Sequence, residues 1–164
     1  MEHAADAPAW AATLEASGLG LFMRQSLVAY PAANLTHLLG LVLLVGPISL
    51  FDLRVLGVGR RHISAAAASR LLTPFALVGL TLLVGSGVLM FSADARSLAT
   101  SEVLIWKLSL AVAALANAVL FRRLWNRRLS GWDARPARLG QAQAALSIAL
   151  WLAVATCGRM IAYL

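Results

Sequence analysis

The sequence predicts an all-α integral membrane protein, a four-helix bundle with a short interfacial amphipathic helix at its N-terminus. Three observations predict it. Of 164 residues, 60% are hydrophobic and only 13% charged, more apolar surface than a soluble domain of this size can hide. The apolar residues gather in four stretches, near 32–53, 71–91, 102–122 and 140–162. Each matches the ~20 helical residues needed to cross a hydrocarbon core about 30 Å thick. None alternates as a barrel strand does, and open strands cannot cross lipid with unpaired backbone groups. The chain therefore divides into an N-terminal interfacial segment, 1–30, and a transmembrane domain, 31–164.

The first residues are acidic (Glu2, Asp6) and the first long apolar run begins only after Tyr30, so the N-terminus does not read as a signal peptide. From Pro8 to Ala29, Trp10, Leu14 and Leu21 lie near one helical face, interrupted by Gly18 and Gly20. One or two short helices in the interface are expected. Pro31 suits the first turn of span one, where its missing N–H is no loss. Gly40 and Gly46 in span one, Gly79, Gly85, Ser86 and Gly87 in span two, and alanines 111, 113, 114, 116 and 118 in span three mark places where helices can approach closely. Pro47 and Pro74 are expected to bend their helices.

Along span four, Gln141, Ile148, Leu152, Ala155 and Arg159 form a stripe that reads as its packing face. Asn117 is expected to bridge helices, and His62 to be solvated. Asp52 is expected to pair with Arg54, or with Arg122 or Arg123 across the bundle. Trp125 and Trp132 at one end, with Tyr30 and Tyr163 at the other, read as interfacial belts. Cys157 stands alone, which excludes an internal disulfide and a cysteine-built metal site.

The net charge of +7 does not point to nucleic acid, because the arginines sit in short runs between apolar segments. The loop between spans one and two carries Arg54, Arg60, Arg61 and Arg70. The loop between three and four carries Arg122, Arg123, Arg127, Arg128, Arg135 and Arg138. Ten of the fourteen cationic residues thus share one side, and the positive-inside rule puts both termini outside. For a bacterial-looking chain rich in alanine and arginine, this means an inner-membrane protein with periplasmic termini.

Three basic side chains fall within the spans. His37 lies early in span one, Lys107 early in span three, and Arg159 shortly before the end of span four. A rise of ~1.5 Å per residue puts all three roughly 5–9 Å below the outer interface. Cations at that depth either snorkel outward or converge on a site. A shared site would take the propionates of a porphyrin or the carbonyl oxygens of a quinone. Neutral His37 would then ligate iron, as the candidate metal ligand, or hydrogen-bond a quinone oxygen. Asn34, one turn before His37, is placed to fix its tautomer, and Trp106 to stack on a ring. Glu102, pairing with Arg159 or Lys107, is the purely structural version of the same cluster. With no second histidine in the spans, a bis-histidine haem within one chain is not expected. A five-coordinate haem, a second ligand from Met90 or Lys107, or one from another subunit remain open.

The run from His37 to Gly57, HLLGLVLLVGPISLFDLRVLG, with Lys107-Leu108 and the closing GRMIAY from Gly158 to Tyr163, resembles an uncharacterised family of bacterial four-span membrane proteins. That resemblance covers nearly the whole chain and implies a fold without an activity. More distantly, His37, Arg54, the Arg70-x-x-x-Pro74 pattern and the Trp106-Lys107 pair look like the HemJ-type protoporphyrinogen oxidases. The CopD-type copper-resistance membrane domains are also similar small helical bundles. The first of these implies haem binding, carried here to His37 and Lys107. The acidic residues and later histidines of that family have no counterpart in this chain. Copper-suited methionines and histidines are few.

Phosphate loops, nucleophile elbows and cysteine pairs are absent from the sequence, so any chemistry must come from a cofactor or a partner. The expected function is a redox protein or subunit binding b-type haem near the periplasmic face. The alternatives are a quinone-binding subunit, or a cofactor-free membrane anchor or interaction subunit of a larger complex. Membrane lipids are the certain partners, and a homo-oligomer or a redox complex would supply any others. A transporter has little to build on without an acidic relay or an inverted repeat.

Overall fold

The computed structural model describes residues 7–161; Glu2, Asp6 and Tyr163, singled out above, lie outside them. Seven α-helices and one 3-10 turn account for most of this stretch. They are α1 (Ala9–Glu15), α2 (Gly18–Gln25), α3 (Ala29–Val55), α4 (Ala65–Ala93), α5 (Ala95–Ala99), α6 (Glu102–Trp125), the 3-10 turn Asn126–Gly131, and α7 (Arg138–Met160). Serine caps set three of the starts. Ser17, Ser64 and Ser101 accept hydrogen bonds from the N–H groups of Gly20, Ala67 and Leu104, satisfying donors that a helix start leaves open. After α3 the chain turns through Gly57 and Gly59, both at positive φ, where a side chain would be strained.

Four of the helices, α3, α4, α6 (continued by its 3-10 turn) and α7, are long and apolar enough to cross a membrane. Only 11–28% of each one's most apolar stretch is buried inside the protein, so lipid must cover the rest. The chain is a multi-pass membrane protein, with helices a few residues longer than expected at the start of α3 and at both ends of α4. Pro31 falls in the first turn of α3. Pro47 and Pro74 lie inside unbroken helices.

The bundle is built from two pairs. α3 packs on α4, α6 packs on α7, and α3 joins the pairs through α7; no comparable interface connects α4 with α6. The α3–α4 crossing is backbone against backbone at Gly40 and Gly79. A Cβ on Gly79 would stand 2.5 Å from the Leu44 nitrogen and 2.8 Å from the Gly40 oxygen. Gly46 and Gly85 have nothing within 4 Å of a notional Cβ and contribute no contact. Of the span-three alanines Ala114 is fully buried, whereas Ala113 and Ala116 are exposed.

At the end holding the termini, α1 and α2 fold over α4 and α5, two short helices rather than one. Gly20 lies against the Ser92 carbonyl, and Trp10 stacks on Phe91. Glu15 closes the cap by accepting from Arg24 Nη1 at 2.7 Å and from the Arg96 N–H at 2.9 Å.

Three further features of the bundle differ from expectation. Trp132 is only 2% exposed. Its indole N–H donates to the Val55 carbonyl at the end of α3 (2.9 Å), and Trp125 donates to Gln143 Oε1 (2.6 Å). Both belong to a core with Phe51 and Phe121, not to a lipid-facing belt. Arg54 pairs with Asp133 at 2.5 Å and donates to the Ile63 carbonyl, while Arg122 donates to Thr73. Asp52 makes no ion pair with Arg54, Arg122 or Arg123 among the described residues, so the expected carboxylate clamp is not formed. On α7 the buried face is Gly140, Gln143, Ala144, Ser147, Trp151 and Val154, a stripe rotated away from the Gln141–Arg159 stripe. Leu152 and Arg159 on the latter are exposed.

Candidate functional site

His37 lies on the side of α3 that meets α4. Its Nδ1 is 3.0 Å from Ser86 Oγ, and a Cβ on Gly87 would stand 3.4 Å from its Cε1. Serine has one hydroxyl proton, and Ser86 donates it back along its own helix to the Leu82 carbonyl at 2.5 Å. With that proton directed to Leu82, His37 Nδ1 is placed to be the donor in the contact. A neutral ring protonated at Nδ1 leaves the Nε2 lone pair available to a ligand.

Lys107, on α6, is half-buried. Its Nζ and Cε approach Gly158 of α7, where a Cβ would meet them at 3.5 Å, and the Cys157 thiol is within electrostatic reach. The ammonium is also within electrostatic reach of His37. Histidine and lysine from two different helices are thus within electrostatic reach of each other. Arg159, at the end of α7, is exposed and has its own interaction there.

The remaining residues expected at this site are placed differently. Asn34 is exposed, and the hydrogen bond that orients His37 is made to Ser86 on the neighbouring helix. Trp106, next to Lys107 in sequence, is 66% exposed and faces outward from the bundle. Glu102 is exposed and makes no ion pair among the described residues. Met90 packs with Met23, Ala33 and Ala93 under α2. Among the described residues no three His, Cys, Asp or Glu side chains gather to hold a free metal ion, so a metal here would have to come within a cofactor that supplies most of its own ligands.

Two cavities lie elsewhere. One, of about 420 Å³, is an open groove between α2, α3 and α4, lined by Met23, Ala33, Ser86 and Leu89 among others. It shares Ser86 with the His37 contact, though His37 is not among its lining residues. The other, of about 270 Å³, lies in the arginine-rich half and is lined by Asp52, Asn117, Gln143 and Ser147 with apolar residues of α3, α4 and α6. Sequence reasoning did not single out Gln143 and Ser147. Their spacing of four, in step with Gly140, marks a buried helical face. Asn117 does bridge helices, donating to the Gln143 carbonyl at 3.0 Å.

Comparison with protein-family models, with curated proteins and with solved structures found no match.

Proposed function

We propose that the protein is a redox protein or redox subunit of the bacterial inner membrane, with periplasmic termini, that binds b-type haem at the termini end through His37. One observation carries this reading: His37 Nδ1 lies 3.0 Å from Ser86 Oγ, whose own proton goes to Leu82, an arrangement that favours the Nδ1-protonated ring whose Nε2 lone pair an axial ligand requires. Lys107 supports it by bringing a cation to the same level, suited to a propionate. Gly87 and Gly158 keep both side chains free of a neighbouring Cβ. The orientation rests on the arginine-rich loops. The residues present fit the group in ligand and in charge. When bound, haem would supply one-electron redox chemistry. This chain's part is to hold the ring, fix its tautomer and balance the propionate charge.

Protein purified in mild detergent from haem-replete cells should show a Soret band. His37→Ala should abolish it. Ser86→Ala should weaken haem affinity by about 10–100-fold, as loss of a partner behind a ligating histidine does. Colourless protein that haemin does not restore would overturn the reading. A quinone extracted from such protein would instead point to quinone at the same level.

A further inference from the structure

The cavity in the arginine-rich half has no part in the site around His37. It lies between α4 and α6, the one side of the bundle without an extensive helix–helix interface, with α3 and α7 behind it. Leu72, Ala76 and Leu80 of α4 face Leu115 and Val119 of α6 across it. At its mouth the Arg122–Thr73 hydrogen bond ties these two helices together.

At its inner end is Asp52, only 5% exposed, with an Oδ2 that has no hydrogen-bond partner. The Ser147 hydroxyl is within hydrogen-bonding reach of the carboxyl. Several polar atoms nearby are committed. Arg54 is held by Asp133 and Ile63, Gln143 Oε1 accepts from Trp125, and Asn117 Nδ2 donates to the Gln143 carbonyl. A buried carboxyl oxygen without a partner is costly, and here it lines a cavity that lipid-phase molecules could enter sideways.

The chemistry narrows the occupant. A cationic head is disfavoured by Arg122 at the mouth. A phosphate or carboxylate would meet Asp52. An uncharged head that can exchange hydrogen bonds with a carboxyl group fits both constraints. A quinol hydroxyl donates to the ionised carboxylate, and a quinone carbonyl accepts from the protonated acid. At about 270 Å³ the space is below the roughly 300–1,000 Å³ of drug-sized pockets, enough for one ring with its tail outside. We infer that this cavity binds the head group of a membrane quinone or quinol, with Asp52 as its hydrogen-bond partner and the isoprenoid-like tail leaving between α4 and α6.

The test is titration of the full chain in mild detergent with decylubiquinone and with the dimethyl ether of its quinol, which lacks carbonyl and hydroxyl groups. Trp125 and Trp132 report through fluorescence quenching. Saturable quenching by the quinone is expected, with at least tenfold weaker binding of the ether. Asp52→Leu and Ala76→Phe, the second filling the cavity from its opposite wall, should each weaken quinone binding at least tenfold. Asp52→Leu replaces a buried polar group by an apolar one and should fold; Ala76→Phe tests the site without touching the carboxyl. His37→Ala should bind as wild type does, which separates this site from the one at the termini end. Absence of saturable binding, equal affinity for quinone and ether, or wild-type affinity in Ala76→Phe would overturn the proposal. So would loss of binding in His37→Ala.

Discussion

The two ends of the bundle use polar groups in opposite ways. At the arginine-rich end almost every strong group is tied to the protein itself. Arg54 spans from α3 to Ile63 and Asp133, Trp132 covers the last carbonyl of α3, and Trp125 holds Gln143. Those bonds close the loops onto the helices and build a core out of residues that could have faced lipid. At the termini end the described hydrogen bond of His37 uses Nδ1 alone, and Lys107 lies half-buried beside Gly158 with no ion pair among the described residues. The contrast teaches that buried polarity alone does not mark a site; what marks it is polarity with capacity left over. By that measure two atoms at the arginine-rich end are exceptions, Arg54 Nη1 and Asp52 Oδ2, and of these two residues Asp52 lines a cavity.

The largest test of this contrast is at Asp133. Arg54 is 3% exposed, so removing its carboxylate strands a buried guanidinium, one of whose nitrogens, Nη1, already lacks a partner. Asp133→Ala should cost about 3 kcal/mol, the low end of the range for breaking a buried pair, because Asp133 itself is open to water. Thermal unfolding in detergent would measure it. Arg54→Leu, which removes the buried charge instead of orphaning it, should cost less. If Asp133→Ala melts as wild type does, the knot is not what holds this end.

Next in size is the α3–α4 crossing. Gly79→Ala places a methyl group 2.5 Å from the Leu44 backbone nitrogen, where nothing flexible can move aside. Overpacking of that kind costs about 1–3 kcal/mol. Gly46→Ala, with nothing within 4 Å, should be neutral or slightly stabilising, since alanine is the better helix former. Because the same crossing sets His37 against Ser86 and Gly87, Gly79→Ala should also weaken any ligand of His37, whereas Gly46→Ala should not.

These glycines also show where the sequence could be read and where it could not. Hydropathy and length place a span along the chain but not its rotation about its own axis. Gly40 and Gly46 therefore look alike in sequence, though only Gly40 touches another helix. Span four suffered most: the stripe through Gln141 and Arg159 and the stripe through Gln143 and Ser147 are both plausible by period, and packing chose the second. The common level of His37 and Lys107 was legible, because topology and the rise per residue determine depth. Their partners were not. Ser86 faces His37 only because Gly40 and Gly79 set the rotation of α4. Trp132 was misread because a tryptophan near a membrane end suits a lipid belt and a core equally; the deciding factor was the unsatisfied Val55 carbonyl at the end of α3. Asp52 lost Arg54 to Asp133, a residue in a loop 79 positions further along, a pairing that no local pattern announces.

The smallest expected effect is at the polar cap over the termini end, outside the spans. Glu15 joins three short helices: it ends α1, its Oε1 accepts from Arg24 of α2, and its Oε2 accepts from the N–H of Arg96 at the start of α5. The Arg96 N–H holds its carboxyl below the ordinary value of 4.5; partial burial opposes this, and the Arg24 guanidinium adds to the lowering. A carboxyl whose folded-state value is depressed stabilises the fold in full above its unfolded value and loses that contribution as pH falls through the folded one. Glu15→Gln should therefore melt slightly below wild type at pH 7, by less than about 1 kcal/mol because the pair is at the surface. The gap should close as pH drops below about 4.5 and narrow in high salt. A gap that stays constant with pH would mean that the carboxylate charge does not hold the cap, and that Trp10 stacking on Phe91 carries the contact instead.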